Sequence, residues 1–277
     1  MKRRITAADF SLFKSKAQRI TMMTAYDYTS AALVDEAGMD VILVGDSLGM
    51  VILGYENTLQ VTLEDMLHHT RAVSRGAGAA MVVADMPFLT YHTTPEEAVR
   101  NAGRFIQEAG AHAVKLEGGR HVAPQIEAIL KAQIPVLGHL GLTPQSVHRL
   151  GGFKVQGKDE AVARELLEEA LLLQELGVFG IVLECVPAPL ATLVSKRLSI
   201  PTIGIGAGAG CDGQVLVFQD ALGLNRGFVP KFVKPFAALG DGAVQGLRQY
   251  VEEVRQGTFP APEHTFAMEA EVLEKLY

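Results

Sequence analysis

Four short apolar runs in this chain each lead into an acidic residue: 41–44 is followed by Gly45 and Asp46, 81–84 by Asp85, 113–116 by Glu117 and 180–183 by Glu184. The runs are rich in Val and Ile and lack a period-2 alternation. They therefore read as strands covered on both faces, the condition of a parallel sheet flanked by helices. Each acid then stands at the carboxyl end of its strand. Ligands bind at that edge in parallel α/β folds, because the loops there vary over a rigid sheet. Four further runs, 19–24, 135–138, 202–205 and 214–218, bring the expected strands to eight. Eight closes an α/β chain into a (β/α)8 TIM barrel.

The segments between strands carry helical patterns with recognisable starts. Thr62 with Asp65 and Thr94 with Glu97 have capping-box spacing, and Pro95 stands at a first helical position. The longest helix is expected over 159–176, with Val162, Leu166, Leu167, Leu171, Leu173 and Leu176 on its apolar face and Gly177 as its stop. Two segments depart from the repeat. Residues 141–158 carry Gly151, Gly152 and Gly157, with a short helix expected near Thr143 and Pro144. This stretch reads either as a mobile loop over the mouth or as a structural elaboration. After the eighth strand, 241–256 reads as the last barrel helix. Residues 262–277 read as a C-terminal helical extension, amphipathic through Phe266, Met268, Val272 and Leu276, that docks on its own barrel or on a neighbouring subunit.

At 277 residues one barrel accounts for the chain as a single domain, 1–277. An apolar content of 48% excludes a disordered chain. Net charge is −6, and the only basic cluster (Lys2, Arg3, Arg4, Lys14, Lys16, Arg19) is expected to be a solvated segment, so neither nucleic acid nor membrane is an expected partner. No apolar stretch suits a signal peptide or a membrane span. Two cysteines without framework spacing, Cys185 and Cys211, fit reduced thiols in a cytoplasmic protein.

Asp46, Asp85 and Glu117 come from three neighbouring strands, so their carboxylates can share one Mg²⁺ that keeps positions open for a substrate's oxygens. The alternative for each is a helix cap. Lys115 lies two residues before Glu117 and so points the same way, into the barrel. A lysine there needs an anion, either a substrate oxygen or one of the acids, and a Schiff-base role is the third possibility. His139 ends the fifth strand as a substrate contact or as a satisfied polar residue. Glu184 ends the sixth, away from the acid trio, and suits a general base; the alternative is another cap. The segment 208–213 satisfies G-x-G-x-x-G, but a strand comes after it where a dinucleotide site needs a helix. It reads as an anion-holding turn or as a tightly packed one.

Six motifs in order carry a resemblance: Met23-Thr24-Ala25-Tyr26-Asp27, Val44-Gly45-Asp46-Ser47-Leu48-Gly49, Ala84-Asp85-Met86-Pro87-Phe88, Val114-Lys115-Leu116-Glu117-Gly118-Gly119, Gly138-His139-Leu140-Gly141-Leu142-Thr143-Pro144 and Gly204-Ile205-Gly206-Ala207-Gly208. Together they make the chain similar, over about 20–266, to the ketopantoate hydroxymethyltransferases. The resemblance implies a barrel of the phosphoenolpyruvate/pyruvate superfamily, Mg²⁺, 5,10-methylenetetrahydrofolate as co-substrate, a small 2-oxo acid as acceptor, and a homo-oligomer, typically a decamer. By position it implies Asp46, Asp85 and Glu117 as metal ligands, Asp46, Ser47, Asp85, Lys115 and His139 as substrate contacts, and Glu184 as the base. A C–C lyase of the isocitrate lyase kind is the rival enzyme, but its K-K-C-G-H motif is absent. A non-catalytic barrel would not need base, lysine and metal acids at one mouth.

Overall fold

The computed structural model describes residues 3–276; Met1, Lys2 of the basic cluster and Tyr277 of the tail lie outside the described residues. Eight strands form a closed parallel barrel in sequential order. They are β1 (Ile20–Thr24), β2 (Val41–Val44), β3 (Met81–Asp85), β4 (Ala113–Glu117), β5 (Val136–Gly141), β6 (Gly180–Glu184), β7 (Thr202–Ile205) and β8 (Gly213–Leu216). Asp85, Glu117 and Glu184 are the final residues of their strands, as their positions in the sequence led one to expect. Period-2 geometry now sorts each buried run into two sets. Ile42, Val44, Val82, Ala84, Val114, Leu116, Ile181 and Leu183 face the surrounding helices. Val41, Leu43, Met81, Val83, Ala113, Leu137 and Val182 fill the barrel itself.

The helices are α1 (Ala7–Ser15), α2 (Tyr28–Glu36), α3 (Leu48–Val51), α4 (Leu63–Gly76), α5 (Pro95–Gln107), α6 (Ala123–Lys131), α7 (Val147–Leu150), α8 (Glu160–Leu176), α9 (Ala188–Arg197), α10 (Phe218–Ala221), α11 (Leu239–Gln256) and α12 (Ala270–Glu274). The capping box at the start of α4 forms in both directions between Thr62 and Asp65. At α5 Thr94 caps the backbone of Glu97, while the Glu97 carboxylate turns to Thr93, so only half the box is made. Asp159 caps α8 and Gly177 ends it in the left-handed conformation.

The N-terminal end of the barrel is sealed. Helix α1 inserts Phe10 and Phe13 among the inward residues of β1, β2, β3 and β4, and Phe10 meets Phe179 edge-on at 4.7 Å between ring centroids. The open end is the carboxyl end of the strands.

Between β7 and β8 there is no helix. The chain returns through 206–212, and the glycines of the G-x-G-x-x-G sequence are what let it lie flat. A Cβ on Gly210 would run into Thr192 Oγ1 on α9, and one on Gly213 would run into the Ile20 carbonyl oxygen. Close packing thus accounts for the motif. The loop after β5 holds a 3-10 turn at Pro144–Ser146, then α7, then an irregular run to Asp159.

The tail differs from expectation. Its helix is confined to Ala270–Glu274, with a 3-10 turn at Pro262–His264, so Phe266 and Met268 lie in the irregular chain between them, and both are exposed. The helical period read across 266–276 was too short, at barely three turns, to enforce one continuous helix without a packing surface.

Candidate active site

All seven residues singled out in the sequence, Asp46, Ser47, Asp85, Lys115, Glu117, His139 and Glu184, line one cavity of about 470 Å³ at the open end of the barrel. Strand register explains the convergence. Asp85 pairs with Lys115 across β3 and β4, and Glu117 with His139 across β4 and β5. The inward positions of adjacent strands therefore stack charge beside charge.

Lys115 Nζ is 2.9 Å from Asp85 Oδ1, 3.0 Å from His139 Nδ1 and 4.0 Å from Glu117 Oε1. The Asp46 backbone N–H donates to Asp85 Oδ2 at 3.0 Å, which sets the two aspartates side by side. Glu117 is turned the other way. Its Oε2 accepts from the Gln145 backbone N–H at 3.0 Å and its Oε1 lies 3.5 Å from His139 Nδ1. Among the described residues no three His, Cys, Asp or Glu side chains converge as a ready ligand set. The expected trio is thus two adjacent carboxylates with the third drawn to nearby donors.

Burial governs the charges of this floor. It pushes Asp46 well above the usual carboxylate range, and repulsion from Asp85 and Glu117 adds to the shift. Burial also raises Asp85, against the opposing pull of Lys115. For Lys115 burial acts downward, but the charges of Asp85, Glu117 and Asp46 outweigh it and hold the ammonium above its ordinary value. Burial would raise Glu117 too; its hydrogen bond and charge interaction with His139, together with Lys115, hold it below. Three buried carboxylates, with Glu184 beside them, outnumber Lys115 and His139 and leave an excess of negative charge that a divalent cation would offset. Asp85 Oδ1, close to Lys115 but without an aligned hydrogen bond, points to the same need.

Opposing demands meet on His139. Burial and Lys115 disfavour its cation, yet Glu117 and Glu184 outweigh them and push the ring up to about 9. Where the ring is neutral, the 3.0 Å contact with the Lys115 ammonium makes Nδ1 the acceptor and leaves the ring proton on Nε2; as a cation the ring turns its Nδ1–H to Glu117. In either state Nε2 carries hydrogen, and it lies 3.3 Å from Glu184 Oε2, close to it but without an aligned hydrogen bond. Glu184 differs from the floor residues: its side chain is 17% exposed, against 3–4% for Asp85, Lys115, Glu117 and His139. Gly141 allows this placement. With φ at +95° and no room for a Cβ against the Glu184 carbonyl oxygen, no other residue fits there, and Leu142 N–H bonds that same oxygen at 2.8 Å.

Sequence reasoning missed the supports. Buried Gln145 donates through Nε2 to Asp46 Oδ2 at 2.8 Å and to the Met86 carbonyl at 3.0 Å, and accepts from Tyr91 O–H at 2.7 Å. Tyr26 O–H and Ser47 Oγ are 2.9 Å apart. A buried Gln or Tyr leaves no sequence signal of this kind. Only the neighbouring Thr143-Pro144 turn hinted that the segment was ordered.

The family model for ketopantoate hydroxymethyltransferase matches residues 4–262. A 3-methyl-2-oxobutanoate hydroxymethyltransferase of Syntrophus aciditrophicus (strain SB) is 61% identical over 264 residues, 95% of this chain and 97% of that one. One from Clostridium botulinum (strain Loch Maree / Type A3) is 59% identical over 274 residues, 99% of this chain and 100% of its own. Among solved structures, a 2,3-dimethylmalate lyase of the PEP mutase/isocitrate lyase superfamily superposes with a TM-score of 0.60 at 17% identity, covering 99% of this chain and 92% of its own. A phosphoenolpyruvate phosphomutase of Streptomyces platensis subsp. rosaceus gives 0.60 at 16% identity, covering 97% and 94%. These last two likenesses show the fold.

Proposed function

The chain belongs to the ketopantoate hydroxymethyltransferase family, enzymes of pantothenate biosynthesis, and from that premise we propose how its residues carry a hydroxymethyl group from 5,10-methylenetetrahydrofolate to 3-methyl-2-oxobutanoate to give 2-dehydropantoate. The observation that carries the reading is the division of the cavity. A buried, charged floor of Asp46, Asp85, Lys115 and Glu117 binds the 2-oxo acid, and one more exposed carboxylate, Glu184, stands apart from it.

Asp46 and Asp85, with Glu117 behind them, would hold a Mg²⁺. When bound, such a cation withdraws electron density from a 2-oxo acid and acidifies the C–H next to its carbonyl. Lys115 meets the negative oxygen that develops as C3 loses its proton, and Ser47 helps to orient the acid. Glu184 takes the proton, steadied by His139 Nε2–H. Water opens the two C–N bonds of the donor's methylene carbon, which releases tetrahydrofolate and leaves that carbon at the oxidation level of formaldehyde; the enolate carbon attacks it, the new C–C bond forms, and its oxygen takes up the proton to become the hydroxyl. The test is folate-dependent formation of 2-dehydropantoate with and without Mg²⁺; turnover that ignores the metal, or no product, would overturn the reading.

We also place the protein in the cytoplasm, where its free Cys185 and Cys211 would remain thiols. Among the described residues no helix is long and apolar enough to cross a membrane.

A homo-oligomer, with the decamer as its expected size, is part of the same proposal, and α11 supports it. Of its 18 residues only Gly240 is buried, and Leu247, Tyr250, Val251 and Val254 stand exposed along one amphipathic helix. Leu247→Glu with Val251→Glu is expected to lower the assembly mass in light scattering, and deletion of 262–277 to weaken assembly more than barrel folding. Unchanged mass in both would exclude these surfaces as contacts.

A further inference from the structure

The cavity is larger than a five-carbon 2-oxo acid requires, since pockets of roughly 300–1,000 Å³ hold much bigger ligands. Its unused part lies at the rim, between two loops. From the loop joining β5 to α8 come Phe153 and Val155; from the loop joining β8 to α11 come Phe228, Lys231 and Phe232. Phe153 is 53% exposed and Phe228 85%, a costly arrangement for two phenyl rings flanking one opening. Both loops are also cationic. Residues 142–158 contain Arg149, Lys154 and Lys158, and 221–240 contain Arg226, Lys231 and Lys234, with no Asp or Glu in either segment, in a chain whose net charge is −6. Among the described residues only Arg226 of these six is in an ion pair, with Asp241. Asp220 is the one acid on this part of the wall, and it accepts from Asn225 Nδ2 at 2.9 Å.

Position fixes the relation of the rim to the chemistry. Gln156 N–H donates to the Cys185 carbonyl at 2.9 Å, pinning the first loop beside the end of β6. The Phe232 ring lies over Gly206, 2.8 Å from where a Cβ would stand, which places the second loop above the end of β7. The rim therefore sits over Glu184 rather than over Asp46 and Asp85.

We propose that this rim is the subsite for the one-carbon donor: Phe153, Phe228 and Phe232 take its flat ring system, and Lys231 takes a carboxylate of its glutamate. The proposal rests on the hydroxymethyl transfer described above. Stacking on phenyl rings suits a bicyclic heteroaromatic, and a lysine at the opening between two cationic loops suits a flexible dianion. The reactive methylene is thereby delivered to the side of the 2-oxo acid from which Glu184 removes its proton.

The test compares tetrahydrofolate with tetrahydropteroate, which lacks the glutamate, binding to the full Mg²⁺-loaded protein with 3-methyl-2-oxobutanoate present. Lys231→Ala is expected to weaken tetrahydrofolate roughly fivefold and to leave tetrahydropteroate unchanged. Phe153→Ala and Phe228→Ala should each weaken both probes roughly tenfold, while the KM of the 2-oxo acid moves less than about twofold. Loss of affinity for neither probe, equal loss for both in the lysine variant, or a KM of the 2-oxo acid that rises in parallel would each overturn the subsite, as would a change in assembly mass without a change in donor binding. Failure of the wild-type protein to exchange the C3 proton of the 2-oxo acid would instead overturn the transferase mechanism on which the subsite rests.

Discussion

Glu184→Gln is expected to bind Mg²⁺ and 3-methyl-2-oxobutanoate as the wild-type protein does, yet to exchange the C3 proton of that acid with D₂O about 10²–10⁴-fold more slowly. The amide matches the carboxylate in size and keeps its place beside His139 Nε2, 3.3 Å away, but it cannot accept the proton. Binding should survive because the floor is built from other residues, with Lys115 paired to Asp85 and Gln145 bonded to Asp46. Proton removal precedes one-carbon transfer, so the loss should appear without folate, and NMR of the substrate in D₂O at saturating Mg²⁺ reads it directly. Wild-type exchange in the variant would remove Glu184 from the role and leave His139 as the next group in reach. Exchange lost together with metal affinity would move Glu184 among the ligands.

The second large effect has two signs. Asp46→Asn should lose Mg²⁺-dependent turnover and yet, with metal absent from both proteins, melt at a higher temperature than the wild type. Burial first, then the charges of Asp85 and Glu117, raise the Asp46 carboxyl well above its usual range. A carboxyl raised in the folded state contributes stability while it is protonated, and that contribution is lost as pH rises through the raised value. Above that raised value the ionised group therefore opposes folding. Asn removes the charge and still offers an oxygen to Gln145 Nε2. Mg²⁺ should raise the melting temperature of the wild type by mass action and leave the variant unmoved. Thermal melts with and without Mg²⁺ across the pH range check both signs; a variant that melts lower and still gains stability from the ion would place the metal elsewhere.

How far the amino-acid order reveals this molecule depends on whether each signal is local. A doubly covered strand must be apolar throughout, so an acid at its end is conspicuous, and Asp85, Glu117 and Glu184 could be placed at strand termini directly. Lys115 could be turned inward by counting two residues. Pairing across strands is not local, and the pull of His139 and Gln145 on Glu117 could not be read, which is why three acids looked like three equal ligands. The glycine-rich turn was separable from a dinucleotide site because a strand, not a helix, succeeds it, but its actual cause, close approach to Thr192 and Ile20, needed the third dimension. Helix α11 has the periodicity of a packed helix, and nothing in its composition tells that the barrel leaves its apolar side uncovered.

Helix α1 has a consequence for the order of events. Because Phe10 and Phe13 stopper one end of the barrel, the cavity has a single doorway, and whatever occupies the rim shuts in whatever lies on the floor. With the donor held at the rim, such a vessel fills from the bottom and empties from the top. The 2-oxo acid enters first, the folate last, and tetrahydrofolate must depart before 2-dehydropantoate can escape, so turnover is a queue whose sequence is imposed by the stopper rather than by any contact between the two substrates.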